Sequence, residues 1–71
     1  MPENLLFDLS TDYIELCNLL KLTGLADSGG RGKAMVAEGL VTVDGVIEHR
    51  KTAKIRSGQT VLVGDCKIEV N

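Results

Sequence analysis

Apolar residues recur at helical spacing in the first third of the chain. Asp12 can begin a helix there, because its side chain can accept from the free N–H groups of the first turn and Glu15 completes a capping box. Gly24 then supplies the left-handed residue that ends a helix at low cost. We therefore predict a first helix at about 12–22. Its apolar face is broad, which indicates packing on more than one side, and consists of Ile14, Leu16, Cys17, Leu19, Leu20 and Leu22.

A second helix is predicted after a short connection. Ser28 is a favourable N-cap residue and Gly39 is a favourable terminator, with good helix formers between them. These signals place the helix at about 29–38. Glycines weaken its first turns by roughly 1 kcal/mol each relative to alanine. Either tight helix packing or the close approach of another molecule must therefore require a bare backbone at Gly29, Gly30 and Gly32.

The spacing of apolar residues changes to two after the second helix. Val41 and Val43 alternate with a polar residue, and the Asp44-Gly45 pair that follows is a two-residue hairpin signal. The chain therefore enters a sheet directly after its helical part.

The rest of the chain predicts further strands joined by turns. The predicted elements are strands at 60–63 and 66–70 and turns at Ser57-Gly58 and Gly64-Asp65. The polar stretch 48–54 has no clear period and is predicted to be a loop or an irregular edge strand, and 5–7 is a strand or an anchored arm. The predicted fold class is α+β, with two adjacent helices followed by a small, mostly antiparallel sheet.

Length and composition limit what this fold can do. With 71 residues, 44% of them apolar and 3% aromatic, we expect a single domain over 1–71 with an aliphatic core. No apolar stretch is long enough to span a membrane, and the first residues lack a secretory pattern. Two cysteines, Cys17 and Cys66, are too few for a disulfide framework or a zinc site. We expect a cytoplasmic protein without membrane association and with Cys17 packed in the core.

The basic residues are concentrated in the middle of the chain. The net charge is −2, yet residues 28–57 hold six of the eight Lys and Arg residues against three acids, a local charge of +3. Residues 1–27 hold one basic and five acidic residues. An anionic partner would meet the middle segment first, although a solvated surface with chance clustering would give the same count.

The segment from Gly24 to Gly45, GLADSGGRGKAMVAEGLVTVDG, resembles the RNA-binding domain first defined in small-subunit ribosomal protein S-four, also called the αL motif. The resemblance covers about residues 12–63. The stretches ELCNLLKLTGL and VDGVIEHRKTAKI are similar to the small, stand-alone YbcJ-like bacterial branch of this family. The positions that match the family pattern in register are Gly24, Ser28, Gly39, Val41, Val43 and Gly45.

Three positions depart from the family pattern. Gly29 stands where the family usually has Arg, Gly32 where it usually has Ala, and Asp44 where the hairpin usually has Asn. The basic side chains near the start of the second helix are instead Arg31 and Lys33.

A helix N-terminus with nearby cations favours phosphate, because its N–H groups are unpaired and its dipole is positive there. The resemblance further implies that the basic segment after the first hairpin can lie beside the second helix, so that both groups form one RNA-binding face. The alternatives are a cap that only serves helix packing and a flexible, solvated loop. The predicted RNA-binding residues are Ser28, Arg31, Lys33, Arg50, Lys51, Lys54 and Arg56.

The candidate chemistry is that of binding, not catalysis. One His and no Ser/His/Asp cluster leave little material for an enzyme, and we expect no cofactor, metal or small-molecule substrate. A nucleotide P-loop is excluded, because it would need Gly at position 27 and Ser or Thr at position 34, where the chain has Asp27 and Ala34. Tyr13 and Phe7 are too few to form an aromatic stacking platform. We expect a monomeric RNA-binding protein for structured RNA, with ribosomal RNA as one candidate; the alternative is a protein-interaction module for an acidic partner.

Overall fold

The computed structural model describes residues 3–71 and has an α+β architecture with two helices and two sheets. The elements are β1 (Glu3–Phe7), β2 (Ile14–Glu15), α1 (Leu16–Leu22), α2 (Gly29–Ala37), β3 (Val41–Val43), β4 (Val46–Ile47), β5 (Lys54–Ile55), β6 (Thr60–Val63) and β7 (Cys66–Val70). None of the helices among these residues is long and apolar enough to cross a membrane.

The larger sheet has the strand order β1-β7-β6-β3-β4 and is mostly antiparallel, as predicted. Its one parallel pair joins β1 to β7, with Leu5 opposite Ile68 and Phe7 opposite Val70. The stretch 5–7 is therefore a strand. Because β1 and β2 precede the helices, the predicted order of two helices followed by the sheet describes only the later strands.

The prediction for the start of the first helix is wrong. The helix begins at Leu16 instead of residue 12, because Ile14 and Glu15 pair with Ile55 and Lys54 as the two-stranded β2-β5 sheet. The expected capping box is absent, since no side chain caps this helix. The N–H groups of its first turn are instead satisfied by the backbone of the later loop: Leu16 donates to the carbonyl of Ala53 at 2.9 Å.

The second helix follows its prediction. It spans Gly29–Ala37, and the Oγ of Ser28 accepts from the N–H of Arg31 at 3.1 Å. Gly24 and Gly39, which end the two helices, have φ angles of +82° and +77°. Packing requires a glycine at one of the three positions, Gly32, where a Cβ would lie 2.8 Å from the carbonyl oxygen of Cys17. Tight packing between the helices explains this residue.

The predicted hairpin is present, with Asp44 and Gly45 both at positive φ, as a type I′ turn requires. Asp44 has a further role. Its carboxylate accepts from the N–H of Thr60 at 2.9 Å and from Nε2 of Gln59 at 3.2 Å. This residue therefore ties the hairpin to the start of β6.

The core lies between the helices and the inner face of the larger sheet and is aliphatic, as the composition predicts. Cys17 is buried, as expected, and Cys66 is half-buried; neither forms a disulfide. The stretch 48–53 is a loop, and its last buried residue, Ala53, leads into β5. The most deeply buried large side chains are Leu16, Leu19, Leu20, Val36, Val41, Ile55, Val61 and Ile68.

Candidate functional site

The backbone of Cys17 lies between two segments that together carry four of the eight basic residues. Its N–H donates to the carbonyl of Lys51 at 3.1 Å, and its carbonyl oxygen lies against Gly32 of α2. The first turns of α2 and the 48–53 loop therefore flank the same point of α1. The basic residues on these two segments are Arg31, Lys33, Arg50 and Lys51, and all four are exposed.

The start of α2 presents an accessible backbone. A Cβ on Gly29 would meet nothing within 4 Å, and one on Gly30 would meet only the Oγ of Ser28 at 3.9 Å. These two glycines are therefore not required by packing within residues 3–71. The first N–H groups of a helix have no intrahelical partner, so the exposed first turn, with Arg31 and Lys33, can donate to an anion.

Arg50 is held by a neighbouring acid. Its Nε lies 3.3 Å and its backbone N lies 3.1 Å from Oε2 of Glu48, while Nη2 lies 3.3 Å from Oε1. The side-chain hydrogen bond from Arg50 holds the pKa of the Glu48 carboxyl below its ordinary value of 4.5. The Arg50 side chain is nevertheless 80% exposed. It can reach another anion, but only in competition with Glu48.

Lys54 and Arg56 lie beside an aromatic ring. The Nζ of Lys54 is 4.9 Å and the Cζ of Arg56 is 5.8 Å from the centroid of Tyr13, both within the range of a cation–π interaction. Neither cation is ion-paired within the described part of the chain. Tyr13 is not among the residues predicted from the sequence to form the site, because only the pairing of β2 with β5 brings it near these cations.

An open concavity of about 550 Å³ adjoins the Tyr13 ring. Two of its lining residues are the acids Asp12 and Glu15. Within residues 3–71, no group of His, Cys, Asp and Glu side chains is arranged to hold a metal ion. The residues that line the concavity are Thr11, Asp12, Tyr13, Ile14, Glu15 and Asn18.

The fold and the helix-turn-hairpin arrangement define an αL-type domain, and comparisons with known proteins agree. Residues 7–71 match the S4 domain family. YbcJ of Escherichia coli strain K12 is 48% identical over 58 residues, which are 82% of this chain and 83% of that protein, and YbcJ of Shigella flexneri matches equally well. The solution structure of the E. coli protein, described as revealing an αL motif involved in RNA binding, has a TM-score of 0.71 and 45% identity over 92% of this chain and 84% of that one.

The chain therefore belongs to the S4 domain family. This confirms the resemblance drawn from the segment between Gly24 and Gly45.

Proposed function

We propose that this protein is a non-catalytic RNA-binding protein that contacts the phosphates of a structured RNA. The observation that carries the proposal is the junction at Cys17, where the glycine-rich start of α2 and the basic loop meet. Membership of the S4 domain family and the αL motif of the similar E. coli structure support RNA as the ligand. The proposed contact residues are Ser28, Arg31, Lys33, Arg50, Lys51, Lys54 and Arg56.

These residues have different roles in the proposal. Ser28 fixes the N-terminal end of α2, because its Oγ accepts a hydrogen bond from the backbone N–H of Arg31. The exposed first turn can then receive a phosphate. Arg31 and Lys33 add full charges from the helix, and Lys51 adds one from the loop. Arg50 exchanges Glu48 for phosphate when RNA binds, which reduces its net contribution because an existing ion pair is given up.

The absence of a large aromatic surface bears on the kind of RNA. With one Phe and one Tyr in the chain, stacking of several unpaired bases cannot supply most of the affinity. Contacts to the sugar–phosphate backbone then dominate, and such contacts recognise the shape of a folded RNA. We propose a structured RNA, with ribosomal RNA as one candidate, bound by a monomer of one domain. The two unpaired cysteines fit a reducing compartment such as the cytoplasm.

The proposal predicts salt-dependent binding. Each neutralised phosphate contributes about 0.7–0.9 to the slope of log affinity against log salt, so four or five contacts give a slope near −3 to −4. Replacing Arg31 and Lys33 by Gln removes two contacts and should flatten the slope by about 1.4–1.8. The measurement is fluorescence anisotropy with a labelled RNA stem-loop at several salt concentrations.

The matched control replaces Lys21 and Lys67 by Gln. This variant loses the same total charge, but Lys21 lies in the last turn of α1 and Lys67 is paired with Glu69 on β7. Its slope should equal that of the wild type. Absence of wild-type binding at low salt, or binding that is indifferent to salt, would contradict phosphate recognition. Binding to an acidic protein in place of RNA would support the protein-interaction alternative.

A further inference from the structure

Three of the four cations in residues 48–57 lie beside a partner, and the partners are of two kinds. Arg50 is neutralised by Glu48 at 3.3 Å. Lys54 and Arg56 instead share the ring of Tyr13, at 4.9 and 5.8 Å. An aromatic ring orders a cation without cancelling its charge. The two cations at Tyr13 therefore remain available to an anion in a way that Arg50 does not.

The β2-β5 pairing fixes which side of the small sheet these residues occupy. Ile55 is fully buried and Ile14 packs against the core, and the two are directly opposite each other. Side chains alternate between the faces of a strand. The neighbours of these isoleucines therefore lie on the outer face, where Tyr13, Lys54 and Arg56 are all exposed.

The position of Lys54 points to an anion of another molecule. Glu15 is directly opposite Lys54 in the pairing register, yet the two form no ion pair, and the Lys54 ammonium lies over the Tyr13 ring. Two like charges thus converge on one ring, and neither forms an ion pair with Glu15 or another acid of residues 3–71. An anion placed between them would relieve their repulsion, and the ring has already restricted the freedom of both side chains, which lowers the entropy cost of binding.

We propose that Lys54 and Arg56 form a clamp for a backbone phosphate of the RNA, with Tyr13 as the positioning residue that orders both cations. This inference rests on the proposed function. The adjoining concavity is excluded as the phosphate position, because Asp12 and Glu15 line it and would repel the anion. The phosphate then lies over the two cations, and the RNA backbone extends from there toward the 48–53 loop.

The test compares three changes with the same labelled RNA stem-loop. Replacing both Lys54 and Arg56 by Gln should flatten the salt slope by about 1.4–1.8, since two phosphate interactions are lost. Tyr13→Leu should weaken binding by roughly two- to five-fold for each cation that the ring no longer orders. Tyr13→Phe keeps the ring and should bind like the wild type.

The decisive comparison places Tyr13→Leu in the variant that already lacks both cations. If Tyr13 acts through Lys54 and Arg56, this further change has no effect on affinity there. An equal weakening in both backgrounds would overturn the positioning role and assign Tyr13 a direct contact. In the free protein, the NMR shifts of the Lys54 and Arg56 side chains should move toward ordinary values in Tyr13→Leu, which checks the clamp geometry without RNA.

Failure of the clamp is distinguishable from failure of RNA binding. If the wild type binds RNA and the Arg31/Lys33 variant flattens the slope while the Lys54/Arg56 variant does not, the clamp alone is wrong. If the wild type binds no RNA, both proposals fail. If Lys54 and Arg56 bind a polyglutamate peptide in a Tyr13-dependent manner while RNA does not bind, the clamp serves an acidic protein and the RNA assignment is overturned.

Discussion

The backbone of Cys17 leaves no room for a side chain at Gly32. A Cβ there would lie 2.8 Å from the carbonyl oxygen of Cys17 and 3.4 Å from its Cα, and neither backbone atom can move without shifting α1. The N–H of Cys17 donates to the carbonyl of Lys51, so a shift of α1 would also disturb the loop. The close approach of the helices thus holds the two basic segments together.

We predict opposite effects of alanine at two glycines of α2. Gly32→Ala gains about 1 kcal/mol in helix propensity, but the clash with the Cys17 backbone is expected to outweigh it, with a net loss of about 1–2 kcal/mol in the free energy of unfolding. Gly30→Ala meets only the flexible Ser28 side chain at 3.9 Å and should be stabilising by up to about 1 kcal/mol. Urea denaturation of both variants is the measurement, and destabilisation by Gly30→Ala would contradict the open environment described here.

At the level of elements, the two helices begin by different means. In the first turn of α2, the N–H of Arg31 is satisfied locally, by the Ser28 side chain. The first turn of α1 is satisfied by the carbonyls of Lys51 and Ala53, which are more than thirty residues away in the chain. The start of α2 therefore depends on residues close to it in the chain, whereas the start of α1 depends on the 48–53 loop being in place.

This difference predicts which N-terminal substitutions matter. Ser28→Ala should destabilise the protein by about 1 kcal/mol through the lost cap. Asp12→Ala should change stability by no more than about 0.5 kcal/mol, because Asp12 is exposed and lies four residues before the helix. Thermal or urea unfolding of the two variants shows whether α1 is capped by Asp12 or by the carbonyls of the later loop. A large effect of Asp12→Ala would restore the capping box that the sequence suggested.

Local signals explain why most elements could be predicted. The Ser28 cap, the glycines at positive φ and the Asp44-Gly45 turn each depend on residues within a few positions, and each appears where it was expected. The β2-β5 pair could not be predicted in this way, since two-residue strands have no period of their own. The pairing converted the first predicted turn of α1 into a strand and brought Tyr13 to Lys54 and Arg56.

The same limit applies to the candidate site. The sequence indicated which residues are basic, but their partners follow from the tertiary structure. Glu48 neutralises Arg50, whereas Tyr13 orders Lys54 and Arg56. Basic residues that look alike in the sequence therefore differ in how readily they can bind an anion. The assignment of the contacts to RNA phosphates remains a prediction.

At the scale of the whole molecule, the net charge and the local charge have opposite signs. The protein measures 27 × 26 × 23 Å and carries a net charge of −2. At physiological ionic strength the Debye length is about 8 Å, well below the molecular dimensions, so distant acids are screened from the basic segments. At 0.01 M salt it is about 30 Å, and the whole charge of the molecule then acts on an approaching RNA.

The position of β1 at one edge of the larger sheet allows the screening of a distant acid to be measured. Glu3 lies in β1 and Asp8 follows it, at one edge of the larger sheet, while β4 and the loop that carries Arg50 are at the other edge. Four strand spacings of about 4.8 Å, or roughly 19 Å, separate these edges. Glu3 should therefore affect RNA binding only when salt is too low to screen it.

We predict that Glu3→Gln raises RNA affinity at about 0.01 M salt and leaves it unchanged at about 0.15 M, because only the lower concentration gives a Debye length that reaches across the sheet. Glu3 is exposed and pairs with Cys66, at the end of β7 away from Val70 and the turn that carries Arg56. Anisotropy titrations with the RNA stem-loop at both salt concentrations provide the measurement. An equal rise in affinity at both concentrations would mean that Glu3 lies next to the RNA, and the binding surface would then have to include the β1 edge of the sheet.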